Sequence, residues 1–118
     1  MESELDLLLG RAIDSLPKLE ILVHFLRNGM TVRTAAEVGA QLRRPTHEVT
    51  LALEELSQVG LIDRFALGTG RHVLYGPRDD SHVQQLLQML HARYEDPAAR
   101  GQLLRDALDR NGRDGSTQ

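Results

Sequence analysis

Arg43, Arg44, Arg64 and Arg71 are four of the five arginines in the central stretch 31–76. A guanidinium is a planar fork of donors that matches a phosphate or carboxylate, so this group could grip a polyanion. From Thr46 to Asp63 there is no Lys or Arg. That interval holds Thr46, His47 and Thr50, which can donate or accept hydrogen bonds. It also holds three glutamates, Glu48, Glu54 and Glu55.

A second set of side chains has metal-ligand chemistry: His82 and His91, with Asp79 and Asp80 close to the first. Their spacing of nine does not put both imidazoles on one helical turn, as an i, i+4 pair would. A metal or small-molecule sensor would have to build its site across two copies. His24 lies next to an apolar helical stripe and reads as a structural or surface residue. There is no cysteine, so disulfides, thiolate ligands and a Cys nucleophile are excluded. Gly68-Thr69-Gly70 is followed by a strand pattern rather than a helix, so it is a hairpin tip and not a phosphate cradle. No acid–base constellation stands out, and we expect neither an enzyme nor a bound cofactor or metal.

The elements that position these side chains can be read from periodicity and caps. Met30 to Arg33 suggests a short extended piece. Thr34-Ala35-Ala36-Glu37 is a capping box, which starts a helix running from Ala35 to about Leu42. Gly39 inside that helix costs about 0.5–1 kcal/mol relative to alanine, which is tolerated where another backbone crosses closely. Pro45 pushes Arg44 into extended geometry and ends the helix. A second helix runs from there to about Val59, with Thr46 either its N-cap or part of a first turn begun by Pro45. Val49, Ala52, Leu53, Leu56 and Val59 would make its buried stripe, and Gly60 its stop. Residues 61–67 and 71–75 then form a hairpin that carries Thr69 and Arg71 into solvent and ends at Gly76-Pro77.

Helices flank this module. Leu5, Leu8, Leu9, Ala12, Ile13 and Leu16 predict a helix over 3–16. Ser15 and Pro17 start another, which ends near Asn28-Gly29. A capping box Ser81–Gln84 opens a helix over 81–94, and Asp96-Pro97 opens one over 97–110 that stops at Asn111-Gly112. We expect one domain over 1–112, with its core module at 17–77, and a disordered tail over 113–118.

Aromatic residues make up 3% of the chain, so the core must be aliphatic, which favours helices over a β-sandwich. The net charge of −3 counts mildly against nucleic acid, but it is unevenly spread. Residues 1–14 carry −3, residues 15–78 carry +2, and residues 79–118 carry −2. No apolar run approaches the roughly 18 residues of a membrane span, and the acidic start lacks the basic opening of a signal peptide. A cytoplasmic location is expected.

Val38-Gly39 and Leu42, then Val49, Ala52-Leu53, Leu56 and Gly60-Leu61-Ile62, then Gly68–Gly70, resemble the winged helix-turn-helix DNA-binding proteins of bacteria. The multiple-antibiotic-resistance, arsenic-sensor and phenolic-acid-repressor types are similar. The resemblance implies that Gly39 sits where two helices cross and that helix 46–59 faces the major groove with His47, Thr50 and Leu51. It also implies that the wing 62–75, with Arg64 and Arg71, contacts the adjacent minor groove or backbone. The family often has glycine where this chain has Arg43.

The expected fold is therefore mainly α with a small β-hairpin: a winged helix-turn-helix with flanking N- and C-terminal helices. The expected function is a transcriptional regulator binding double-stranded DNA through Arg43, Arg44, Thr46, His47, Thr50, Arg64, Thr69 and Arg71. Glutamates on the reading helix can accept from cytosine but repel phosphates. The alternative is a winged-helix module that binds a protein on this acidic helix, with Leu51 exposed. The flanking helices carry more apolar stripe than a small module can cover, which points to a homodimer.

Overall fold

The computed structural model describes the backbone of residues 2–28, 31–68 and 72–116, and the side chains of 3–28, 31–68 and 72–108. Ser15 starts the first helix of the central module: its hydroxyl accepts from the Lys18 amide, and Pro17 sits in the first turn, where a missing N–H costs nothing. This helix, α2 (Leu16–Arg27), follows α1 (Glu2–Arg11). The cap ends α1 earlier than its periodicity predicts. Residues 12–15 leave the helix, although Ala12 and Ile13 stay buried on the same stripe as Leu5 and Leu9.

Thr34 and Glu37 form the reciprocal capping box: the Glu37 amide donates to Thr34 Oγ1 at 3.1 Å, and the Thr34 amide to Glu37 Oε1 at 2.9 Å. It opens α3 (Ala35–Leu42), and α4 (Thr46–Gln58) follows. Pro45, not Thr46, is the N-cap of α4, and no side chain closes over that end. Val49, Ala52, Leu53 and Leu56 are buried as the stripe requires. Val59 is not: the helix stops at Gln58, Val59 becomes the C-cap and its side chain is exposed. Gly60 follows in the left-handed region at φ 83°.

The sheet has three strands, one more than the hairpin. Strands β2 (Ile62–Leu67) and β3 (His72–Pro77) pair antiparallel, and β1 (Arg33–Thr34) adds on the other side of β3. Of the expected extended piece 30–33 only Arg33 enters the strand, opposite Tyr75, while Thr31 and Val32 precede it and Met30 lies outside the described residues. Gly76 lies inside β3 rather than after it. A Cβ there would come within 2.9 Å of Val32 Cγ2, so the glycine lets the chain before β1 lie close. The hairpin tip at Thr69–Arg71 lies outside the described residues.

Helix α5 (Ser81–Glu95) is capped by Asp80, whose carboxylate accepts from the amides of His82 and Val83. Ser81 is instead its first residue. Helix α6 (Pro97–Ser116) continues through the expected stop at Asn111-Gly112 and through most of the expected tail. A glycine within a helix costs only about 1 kcal/mol, and no proline follows to forbid the next turn.

One aliphatic core joins all six helices and the sheet. Its flanking portion takes Leu5 and Leu9 from α1, Leu86, Leu87 and Leu90 from α5, and Leu103 and Ala107 from α6. The stripes that suggested a twofold contact are thus largely buried against their own chain, because α1 packs on α5 and α6 on α5 and α2. Arg93 to Asp6 at 2.9 Å and His82 to Glu4 at 2.6 Å fasten α1 to α5. Among the described residues no helix is long and apolar enough to cross a membrane.

Candidate nucleic-acid interface

Helices α3 and α4 cross at Gly39. A Cβ on Gly39 would lie 3.0 Å from the Arg44 carbonyl oxygen, 3.7 Å from Val49 Cγ2 and 3.8 Å from Thr46 Cα. A methyl would crowd that oxygen, and the bare glycine lets the two rods be joined by a short turn. Arg43 makes that turn at φ 57°, ψ 45°, the one non-glycine residue with positive φ among those described. A branched-off Cβ in this region costs about 1–2 kcal/mol. Its amide and that of Arg44 both donate back to the Gly39 carbonyl.

The start of α4 is open. Pro45 has no N–H, the first helical amide bond runs from Val49 to the Pro45 carbonyl, and the amides of Thr46, His47 and Glu48 have no partner among the described residues. Thr46, His47 and Leu51 are exposed, and Thr50 is half-buried with its hydroxyl donating to the Thr46 carbonyl at 2.8 Å. Arg43 is exposed and pairs with no carboxylate among the described residues.

The rest of α4 is tied down through its three acids. Glu48 accepts from Arg44 Nη1 at 2.7 Å, while Arg44 Nε donates to Glu20 of α2 at 2.6 Å. Glu54 accepts from Arg64 Nε at 2.8 Å and from the Tyr75 hydroxyl, reaching both strands of the hairpin. Glu55 Oε2 lies 2.6 Å from Lys18 Nζ, which also donates to Asp14 at 2.7 Å. Burial depresses the Lys18 pKa, but the two carboxylates more than offset it and hold the ammonium above its ordinary value. The Tyr75 hydroxyl holds Glu54 below the usual carboxylate range, with help from Arg64. Burial, and then the Glu54 charge, push Tyr75 up to about 12.

The sequence-derived cluster is therefore divided. Arg43, Thr46 and His47 are presented to solvent at one end of α4. Arg44 and Arg64 also border α4 but are engaged by glutamates of the same chain. Thr69 and Arg71 lie outside the described residues. Lys18, Glu20 and Tyr75 were not foreseen as parts of the site. Their contacts to α4 and its flanking arginines span 20 residues or more of sequence, and no local pattern signals them. Away from this face, His82 meets Glu4 and His91 meets Glu95 at 3.1 Å, so the two histidines do not converge. Among the described residues no group of three or more potential ligands could hold a metal.

Helix, strand, helix, helix and hairpin in this order, with β1 closing the sheet, define a winged helix-turn-helix fold with helices on both sides. Comparison with protein families, curated proteins and solved structures finds no match to this chain.

Proposed function

We propose that the protein binds double-stranded DNA as a transcriptional regulator, with α4 in the major groove and the β2–β3 wing against the backbone or minor groove. The observation that carries this reading is the open first turn of α4. Three free amides stand beside the exposed Arg43, on a helix whose glutamates are all bound to cations of the same chain. Unpaired amides at the positive end of a helix, next to a guanidinium, suit a phosphate oxygen. In this reading exposed His47 and Thr46, with Thr50 behind them, would meet base edges or sugar–phosphate. The paired glutamates repel a polyanion less than free ones would.

With Arg44 and Arg64 engaged, few cations remain for phosphates. The salt dependence is expected to be shallow, with a slope of log K against log salt on the order of −2 to −4. Fluorescence anisotropy on duplexes selected from a random pool tests this, with Arg43→Ala expected to weaken binding about tenfold and flatten the slope by about one unit. Salt-independent association, or none at about 50 mM salt, would sink the proposal. The exposed leucines left on α1 and α6 are Leu7 and Leu108, so any homodimer through these helices should be weak; sedimentation against concentration measures it.

A protein-interaction module is the second reading. It is favoured by Leu51, 63% exposed in the middle of a face whose charges are mostly paired off.

A further inference from the structure

We propose that a basic amphipathic helix of a partner protein docks in the groove between α4, the start of α2 and α6. The groove has a volume of about 450 Å³, and its apolar lining is Leu16, Pro17, Leu51, Ala52 and Leu108. Single exposed leucines are ordinary on a protein surface. Here Leu51 and Leu108, 63% and 53% exposed, come from distant parts of the chain and line one concavity. That is the shape that receives one or two aliphatic side chains from a helix laid across it.

Charge selects the visitor. Among the described residues five charged side chains line the groove: Asp14, Glu48, Glu55, Lys18 and Arg44. The cations lie underneath, with the side chains of Lys18 and Arg44 8% and 23% exposed. The acids lie at the mouth, with Asp14, Glu48 and Glu55 41%, 36% and 44% exposed. Each cation is already shared between two carboxylates, Lys18 between Asp14 and Glu55 and Arg44 between Glu48 and Glu20. An approaching segment therefore meets carboxylate oxygens around an apolar floor. Lysines or arginines flanking leucines would complement that surface, whereas an acidic segment would meet like charge and two cations already taken. This flank of α4 differs from its open first turn, and it gives the helix a cationic partner on one side and a polyanion at its end.

The test uses the full chain and a fluorescein-labelled helical peptide of about four turns, with leucines at i, i+4, i+7 and i+11 and lysines beside them. A second peptide has glutamate in place of every lysine. Anisotropy is expected to show saturation with a Kd in the tens of micromolar for the lysine peptide, and binding at least about tenfold weaker for the glutamate peptide. Leu108→Ser should weaken the lysine peptide about tenfold while leaving duplex DNA binding as in the parent, since Leu108 is on α6. Leu51→Ser should weaken the peptide similarly. Failure of the groove and failure of DNA binding are thus read separately. Equal binding of both peptides, no saturation of the lysine peptide, or indifference to both leucine substitutions would overturn the proposal. So would a dimeric mass that Leu108→Ser abolishes, which would give the groove to a second copy.

Discussion

The two ends of α4 are held in opposite ways. From Glu48 to Glu55 the helix is fastened to α2 and to both strands of the hairpin by side chains that share charge. At Thr46 and His47 nothing is fastened, and the preceding turn holds a strained Arg43 in solvent. The contrast shows the glutamates acting as anchors of the helix. They fix the angle at which the free end is presented, and they use up two arginines in doing so.

Removing an anchor is the strongest way to break this contrast. Lys18→Ala leaves Asp14 and Glu55 without their shared cation and should cost about 2–3 kcal/mol. That is less than a fully buried pair would lose, since both carboxylates are partly solvated. Urea denaturation checks it, and a loss under about 0.5 kcal/mol would show that the clamp is ornamental.

The wing anchor gives a pH signature. Tyr75 titrates near 10 when unfolded and about 12 when folded, so its contribution is complete below pH 10 and is lost as pH rises from 10 to 12. Lys18, also raised, adds to the same alkaline loss. Tyr75→Phe should remove about 1–2 kcal/mol of this limb in denaturation followed against pH. On the acid side, burial and the neighbouring Arg33 hold His24 below its ordinary value of 6.5. Its contribution is present above pH 6.5 and declines as pH falls below it, and His24→Phe should flatten that slope.

At the crossing, Gly39→Ala forces a methyl to 3.0 Å from the Arg44 carbonyl. The better helix propensity of alanine offsets part of the strain, leaving a loss of about 1 kcal/mol. The smallest effect sharpens the contrast at the free end. Arg43→Gly relieves the left-handed backbone and should stabilise by about 0.5–1 kcal/mol while weakening DNA binding. Stability and affinity falling together would contradict this separation of roles.

Local chemistry explains what could be foreseen. The capping box Thr34–Glu37, the crossing glycine and the stripe from Val49 to Leu56 depend on residues within a turn or two of each other, and each took its expected place. The misplaced features turn on competition between neighbours. Asp80 outcompeted Ser81 as cap because its carboxylate reaches two amides, and Ser15 stopped α1 before its apolar stripe ran out. The partners of the α4 glutamates were hidden for another reason. Only Arg44–Glu48 is an i, i+4 pair, while Lys18 and Glu55 meet through the packing of α2 on α4. A glutamate-rich helix therefore looked unpaired in the sequence, although the structure sets a cation against each of its acids.

Pro45 has one further consequence. Because it cannot donate and no side chain among the described residues caps it, the next three amides have no partner there. An arriving acceptor has only to displace loosely held solvent. No intramolecular bond must break and no loop must rearrange, so association at this end should be quick and its reversal equally easy.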